Sequence, residues 1–422
     1  MTEQSWEPRA DAPAQKQAAG PAPSFGDGWK GQVTSLDTTT GKDHGQDDCP
    51  KCGSTEITHK SGTMALMCEF CRFEWIGARL EETHGLGEGI EDLSGRTIAS
   101  GAAQIESDNN LVTMKCQGCG AEVTVDTAHA AQARCHWCRS ILSLNDKMAN
   151  GAVPDGILPF SLSRDQAISK ITEFVEDRKL LANPKFKADF SAEHVRPIYL
   201  PYMVVDGNLH TRIHGIGEIQ TRRYTVKHGD TRTTYYDANE YQVIRQFDLQ
   251  ADDLIVESSA SKADFRTEVS TNNIINAILP FDVKNMVAFD SNYMGDIQAE
   301  KRDMDIDDVS RTTHERFLTM ARERIKPDLH AYDRGVRVTH EEMWVRGTRW
   351  TTVYLPVWLY SYPERDERGN LTVHYVAVNG RNGTTMGSVP ISASRLWAAT
   401  LGWSAAAAAV CWPLALVSMV AS

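Results

Sequence analysis

Cysteine spacing constrains this chain more than any other feature. Eight of its nine cysteines form four C-x-x-C pairs, grouped as Cys49, Cys52, Cys68, Cys71 and as Cys116, Cys119, Cys135, Cys138. In each group the same 15 residues separate the two pairs. A C-x-x-C turn presents two thiolates to one metal, and two such knuckles close a tetrahedral shell around zinc. Gly53 and Gly120 follow the first knuckle of each group, where the chain must turn sharply. Both groups therefore predict four-cysteine zinc ribbons, together holding two structural Zn2+ ions. Four thiolates leave no open position for water, so neither zinc is expected to be catalytic. Cys135-His136-Trp137-Cys138 has the spacing of a dithiol redox site but lacks the βαβ context such a site needs. His44, His59 and His136 are surplus to the four-sulfur shells.

Around the ribbons the sequence divides into seven stretches. Residues 1–47 hold few large apolar groups and read as a disordered lead-in without a secretory leader. Ribbon 1 spans 48–80, an acidic linker 81–110, and ribbon 2 111–146. From 151 to 394 strand-like runs alternate with helical stretches. Ser163 and Gln166 have capping-box spacing ahead of the stripe Ile168, Ile171, Phe174, Val175. A second helix is expected over 305–325, with Val309, Phe317, Leu318, Ala321 and Ile325 on one face. Ile157-Leu158-Pro159-Phe160 recurs as Ile278-Leu279-Pro280-Phe281, and Tyr199-Leu200-Pro201 recurs as Tyr354-Leu355-Pro356. That recurrence predicts a duplicated α+β domain, its units at 151–277 and 278–394.

The last 27 residues carry no charge, and 396–421 is long enough for one C-terminal transmembrane helix. Arg381 and Arg395 precede this segment and no Lys or Arg follows it. The expected location is thus the cell membrane, single-pass, with the bulk of the chain cytoplasmic, where cysteines stay reduced. The whole chain is an α+β protein on this reading.

Charge bears on function. The formal net charge is -12. Residues 48–80 balance Lys51, Lys60, Arg72 and Arg79 against Asp48, Glu56, Glu69 and Glu74, and residues 111–146 balance three cations against three acids. Neither ribbon has the basic footprint of a nucleic-acid reader. Protein contact is the better expectation, with Phe70, Phe73, Trp75 and Trp137 available for a docking surface or for the ribbons' own small cores. His210 and His214, four apart on a strand, are a weak metal pair. The acidic run Glu300, Asp303, Asp305, Asp307, Asp308 reads as a solvated helix start, and Arg222, Arg223, Lys227, Arg232 and Arg245 as a hairpin surface or a contact for anionic headgroups. No nucleotide-binding, nucleophile-elbow or zinc-protease motif is present, so no enzyme is expected.

The segments Cys116-Gln-Gly-Cys-Gly-Ala-Glu-Val123, Cys135-His-Trp-Cys-Arg139, Asn150-Gly151, Pro154-Asp-Gly-Ile-Leu-Pro-Phe160, Tyr354-Leu-Pro-Val-Trp358 and Val378-Asn-Gly-Arg-Asn-Gly383, with the apolar tail, carry a resemblance. Over most of 48–422 the chain resembles bacterial TFIIB-type zinc-ribbon membrane proteins, whose relatives sometimes bear primosomal-helicase-like labels. The resemblance implies a tail-anchored adaptor for phage-shock-protein-A-like or flotillin-like partners in membrane stress. A membrane-tethered nucleic-acid binder is the alternative. Without a nucleotide-binding motif, a helicase reading has no support.

Overall fold

The computed structural model describes residues 31–38, 48–103 except 61, four short strands between 111 and 142, and 154–178, 183, 186, 191–228 and 231–259. It also describes 278–365 except 296, 301 and 303, and 371–390. Strand β1 (Val33–Leu36) precedes the three-stranded ribbon sheet β2 (Ile57–His59), β3 (Leu66–Cys68) and β4 (Glu74–Trp75). Helix α1 (Leu80–His84) leads to β5 (Gly95–Ala99). Strands β6 (Leu111–Lys115) and β7 (Glu122–Asp126) pair antiparallel, as do β8 (Ala133–Arg134) and β9 (Ile141–Leu142). The body follows: β10 (Gly156–Ile157), α2 (Arg164–Asp177), β11 (Arg196–His228), β12 (Thr231–Glu257), β13 (Val287–Ala288), β14 (Gln298–Ala299), α3 (Ile306–Ile325), β15 (Val336–Arg365), β16 (Leu371–Asn379) and β17 (Thr385–Gly387).

Ten of these strands make one mixed sheet centred on the antiparallel pair β11–β15. β12 and β14 join the outer side of β11. Along the other side of β15 lie β5, β10 and β16 in turn, the first two parallel to it. α2 and α3 cover one face. Ile171, Phe174 and Val175 meet Tyr199, Trp358 and Tyr360, while Val309, Phe317 and Leu318 meet Met203, Val205 and Trp350. On the other face Leu80, Leu158, Ile278 and Phe281 cover Leu200, Tyr202, Val353 and Leu355. Gly207 permits the first contact surface to close, because a Cβ there would lie 2.8 Å from the Phe317 ring.

Both helices start where local chemistry directs. Ser163 Oγ accepts from the Gln166 amide and Gln166 returns the bond to Ser163 N–H; Asp305 and Asp308 do the same for α3.

The fold departs from the α+β reading. The described chain is dominated by one large mixed β-sheet, and the expected duplicated α+β domain is not what forms. The recurring Tyr-Leu-Pro segments are neighbours within that sheet: Tyr199 faces Pro356, Leu200 faces Leu355 and Pro201 faces Tyr354. The two Leu-Pro-Phe segments likewise meet at one loop. Asn379 Nδ2 donates to the Ile278 and Pro280 carbonyls at 3.0 and 3.1 Å, and Arg381 Nη1 donates to the Pro159 carbonyl at 3.1 Å. Similar sequences here mark two sides of one junction, not two successive units.

Among the described residues no helix is long and apolar enough to cross a membrane, and the expected transmembrane helix does not fall within them. Segment 396–421 lies outside them. The stretch read as a linker supplies α1 and β5, and β5 is an internal strand between β1 and β15.

Candidate metal centre

Ribbon 1 is built from two knuckles with matching hydrogen bonds. Cys49 N–H donates to Ser54 O at 2.8 Å and Gly53 N–H to Cys49 O at 2.8 Å; Cys68 N–H donates to Phe73 O at 2.9 Å and Arg72 N–H to Cys68 O at 2.9 Å. Each knuckle ends on a left-handed residue, Gly53 at φ 72° and Arg72 at φ 58°. Glycine adopts this conformation freely, whereas arginine does so at a steric cost. The antiparallel strands β2, β3 and β4 bring the knuckles together.

The four sulfurs then converge. Cys49 Sγ lies 3.6 Å from Cys71 Sγ, Cys52 Sγ lies 3.7 Å from Cys68 Sγ, and all four fall within 4.8 Å of one another. A tetrahedral zinc with Zn–S bonds of ~2.3 Å requires sulfurs ~3.8 Å apart, so the set fits that ion. The Cys71 amide, 3.5 Å from Cys68 Sγ, lowers the Cys68 thiol to about 6. Against the lowering effect of the Ser54 amide, desolvation and the other three sulfurs push Cys52 up to about 12. Four clustered sulfurs resist full ionisation until a cation joins them, a charge that a zinc ion would supply.

His59 is not a fifth ligand. Its Nε2 lies 2.6 Å from Thr63 O, its ring packs 5.6 Å from that of Tyr293, and burial lowers its pKa. That contact belongs to a seam between ribbon and body. Gly77 N–H donates to Tyr293 Oη at 2.8 Å, and Tyr293 Oη donates to Met64 O at 3.2 Å. Ile57 and Leu66 share a core with Tyr293 and Phe160, so ribbon 1 is welded to the sheet rather than tethered beside it.

Ribbon 1 also leaves apolar side chains exposed. Phe70 is 77% exposed and Ile76 58%, while Phe73, stacked 6.0 Å from Trp75, is 36% exposed. The cations around them are engaged: Lys60 pairs with Glu74 at 2.8 Å, Arg72 with Glu69 at 2.6 Å, and Lys51 sits over Phe73. Trp75, by contrast, packs against the core.

The other sequence candidates fall as follows. Cys116, Cys119, Cys135, Cys138, His44, His136 and Trp137 lie outside the described residues. His210 and His214 share a sheet face without converging on a third ligand. His210 Nδ1 is 2.5 Å from Asp248 Oδ1, and the His214 ring is 6.0 Å from that of His340. Asp305, Asp307 and Asp308 do begin a helix, as expected of a solvated start.

One acidic group escaped sequence reasoning because its members meet only across the sheet. Asp206, Asp252 and Asp253 bring carboxylate oxygens within 4.8 Å. Asp206, at a bulge of β11, accepts from Asp253 N–H at 3.1 Å and lies 3.8 Å from Arg349; Asp252 lies 3.4 Å from Lys284. Burial first, then Asp252 and Asp206, push Asp253 up to about 7. Protein cations and this proton already offset the group's charge. No family model, curated protein or solved structure matches the chain.

Proposed function

We propose that the protein is a non-enzymatic adaptor whose zinc ribbon docks a protein partner while the apolar tail holds the chain at a membrane. The observation carrying this reading is the Phe70, Phe73, Ile76 surface beside the second knuckle. A ribbon that needed these side chains for its own core would bury them. Ribbon 1 instead takes its core from the body and leaves Phe70 and Ile76 in water with the edge of Phe73 beside them, where apolar groups favour a partner. Its closed four-sulfur shell suits a structural zinc, and its internally paired cations give little hold on a phosphate backbone. A second zinc at Cys116, Cys119, Cys135 and Cys138 is part of the proposal, resting on the identical spacing. By resemblance the partner is phage-shock-protein-A-like or flotillin-like, and the membrane attachment rests on the charge-free 27-residue tail.

The test is co-purification from detergent-solubilised membranes with a tagged phage-shock-protein-A-like or flotillin-like partner. Phe70→Ser with Phe73→Ser should abolish recovery while zinc content stays unchanged. Retained recovery in that variant, or recovery of the native chain without detergent, would overturn the docking and membrane parts respectively.

A further inference from the structure

The β11–β12 hairpin outruns the sheet. β15 accompanies β11 only as far as Gly217, and the loop at 332–335 braces Glu218 and Gln220. Beyond the register shift at 220/222 the two strands continue with no other strand beside them among the described residues, with pairs from Arg222↔Asp237 to His228↔Thr231. Seven pairs at the strand rise give an arm of ~23 Å. An isolated two-stranded ribbon is marginal in water, so its retention calls for a use.

Directly opposed residues share a face, which sorts the arm's side chains. Arg223, Thr225 and Lys227 lie beside Tyr236, Thr234 and Arg232, all exposed, and no carboxylate occurs among these six. Lys227 stands directly across from Arg232, a like-charge pairing that costs stability unless an anion sits between them. At the base of the same face Arg334 stacks 3.8 Å over Tyr236. The opposite face carries Arg222 over Tyr224, with Tyr224 stacked on Tyr235. The net charge of -12 does not cancel this patch, because salt confines each charge to ~8 Å and the arm carries its cations clear of the body.

We propose that this arm binds duplex DNA, laying its Arg223, Lys227, Arg232 face against the phosphates. A two-stranded ribbon is of a size to enter the major groove, ~12 Å wide. Tyr236 Oη is held by Glu218 Oε2 at 3.1 Å at the base of the face, while the Thr225 and Thr234 hydroxyls, 3.3 Å apart, leave one O–H of the pair for a phosphate oxygen. Two observations favour DNA over a lipid surface. Val226 is the sole aliphatic side chain from 222 to 237, and the exposed rings of Tyr224, Tyr235 and Tyr236 are stacked with Arg222, with each other and under Arg334 rather than standing free as a bilayer wedge. The arm also extends from the end of the sheet remote from Pro390, which lies near β16; on the order of 100 Å of β11 separates Arg196 from the tip. DNA binding here is independent of the ribbon's docking surface.

The experiment is fluorescence anisotropy of the full chain in detergent with a labelled duplex of about 25 bp, over about 50–200 mM salt. Four phosphate contacts, from Arg223, Lys227, Arg232 and Arg334 at the base of the face, predict a slope of log K against log salt of about -3.6, or on the order of 100-fold weaker binding across that range. The variant Arg223→Gln, Lys227→Gln, Arg232→Gln should bind at least about tenfold more weakly at low salt and lose about 2.7 from the slope, with unchanged melting temperature and zinc content. Absence of duplex binding by the native chain, or equal binding by the variant, would overturn the proposal and leave these cations as guards against edge-to-edge pairing. So would variant-sensitive binding to phosphatidylserine vesicles without duplex binding. Partner recovery through Phe70 and Phe73 is untouched by either result, which separates this test from that of the adaptor.

Discussion

Thr352 donates twice to one carboxylate oxygen of Asp155, from its backbone N–H at 2.7 Å and from its hydroxyl at 2.9 Å. The other oxygen of Asp155 accepts from the Gly101 amide at 2.6 Å and from the Thr38 hydroxyl. One buried carboxylate thus ties the amino-terminal strand region, the loop after β5 and the central strand β15. Asp155→Ala would strand four donors, and a loss of about 3–5 kcal/mol is expected. Asp155→Asn keeps one acceptor and should cost less. Urea unfolding midpoints measure both.

Zinc removal should destabilise more than the ribbon. Because Ile57, Leu66 and Tyr293 share a core, loosening the Cys49, Cys52, Cys68, Cys71 shell exposes part of the body. Cys68→Ser should lower bound zinc by one ion per chain and lower the main melting transition as well. Metal analysis with calorimetry checks this; an unchanged main transition would show the ribbon to be energetically separate.

The loop Asn379–Gly383 should tolerate little. A Cβ on Gly380 would lie 2.7 Å from the Phe160 ring and 2.8 Å from the Pro356 carbonyl, so Gly380→Ala must shift backbone or core. A cost of about 1–3 kcal/mol is expected. Against the raising effect of burial, Arg381 holds Asp282 through Nε at 2.8 Å and Nη2 at 2.7 Å and keeps that carboxyl below its ordinary range. Arg381→Lys cannot reproduce the fork and should also lower the melting temperature.

Asp253 gives a pH signature. Its folded pKa is raised from 3.8 to about 7, so the folded state holds the proton more tightly than the unfolded chain. Stability from this group is therefore lost as pH rises from about 4 through 7. Asp253→Asn, which suits the φ of 58°, should raise stability at pH 8 by about 1–2 kcal/mol after discounting for its partial exposure. The gain should vanish towards pH 4. Melting curves at both pH values decide it.

What the sequence revealed was local. The Cys49–Cys71 spacing, the Ser163–Gln166 box and the Val309-to-Ile325 stripe each rest on contacts within a few turns of chain, and each appears as read. What it concealed was non-local. β5 pairs with residues 347–350, so nothing near Gly95 announces a central strand. Leu200 and Leu355 look like repeats because partners across an antiparallel pair occupy equivalent environments. The left-handed turn at Arg72 has no glycine to betray it. The exposure of Phe70 depends on which side of ribbon 1 meets Tyr293, and that requires the body.

The parallel pairing of Thr97 with Arg349 sets a timetable. β5 leaves the ribosome roughly 250 residues before the strand that completes it, a wait of roughly 10–50 s at ordinary synthesis rates. Through that interval Cys49, Cys52, Cys68 and Cys71 can gather a metal ion, although the body that completes the ribbon's core has not yet been made. Zinc supply during translation, rather than after it, would then govern how much of each nascent chain reaches its finished sheet instead of aggregating through unpaired strands.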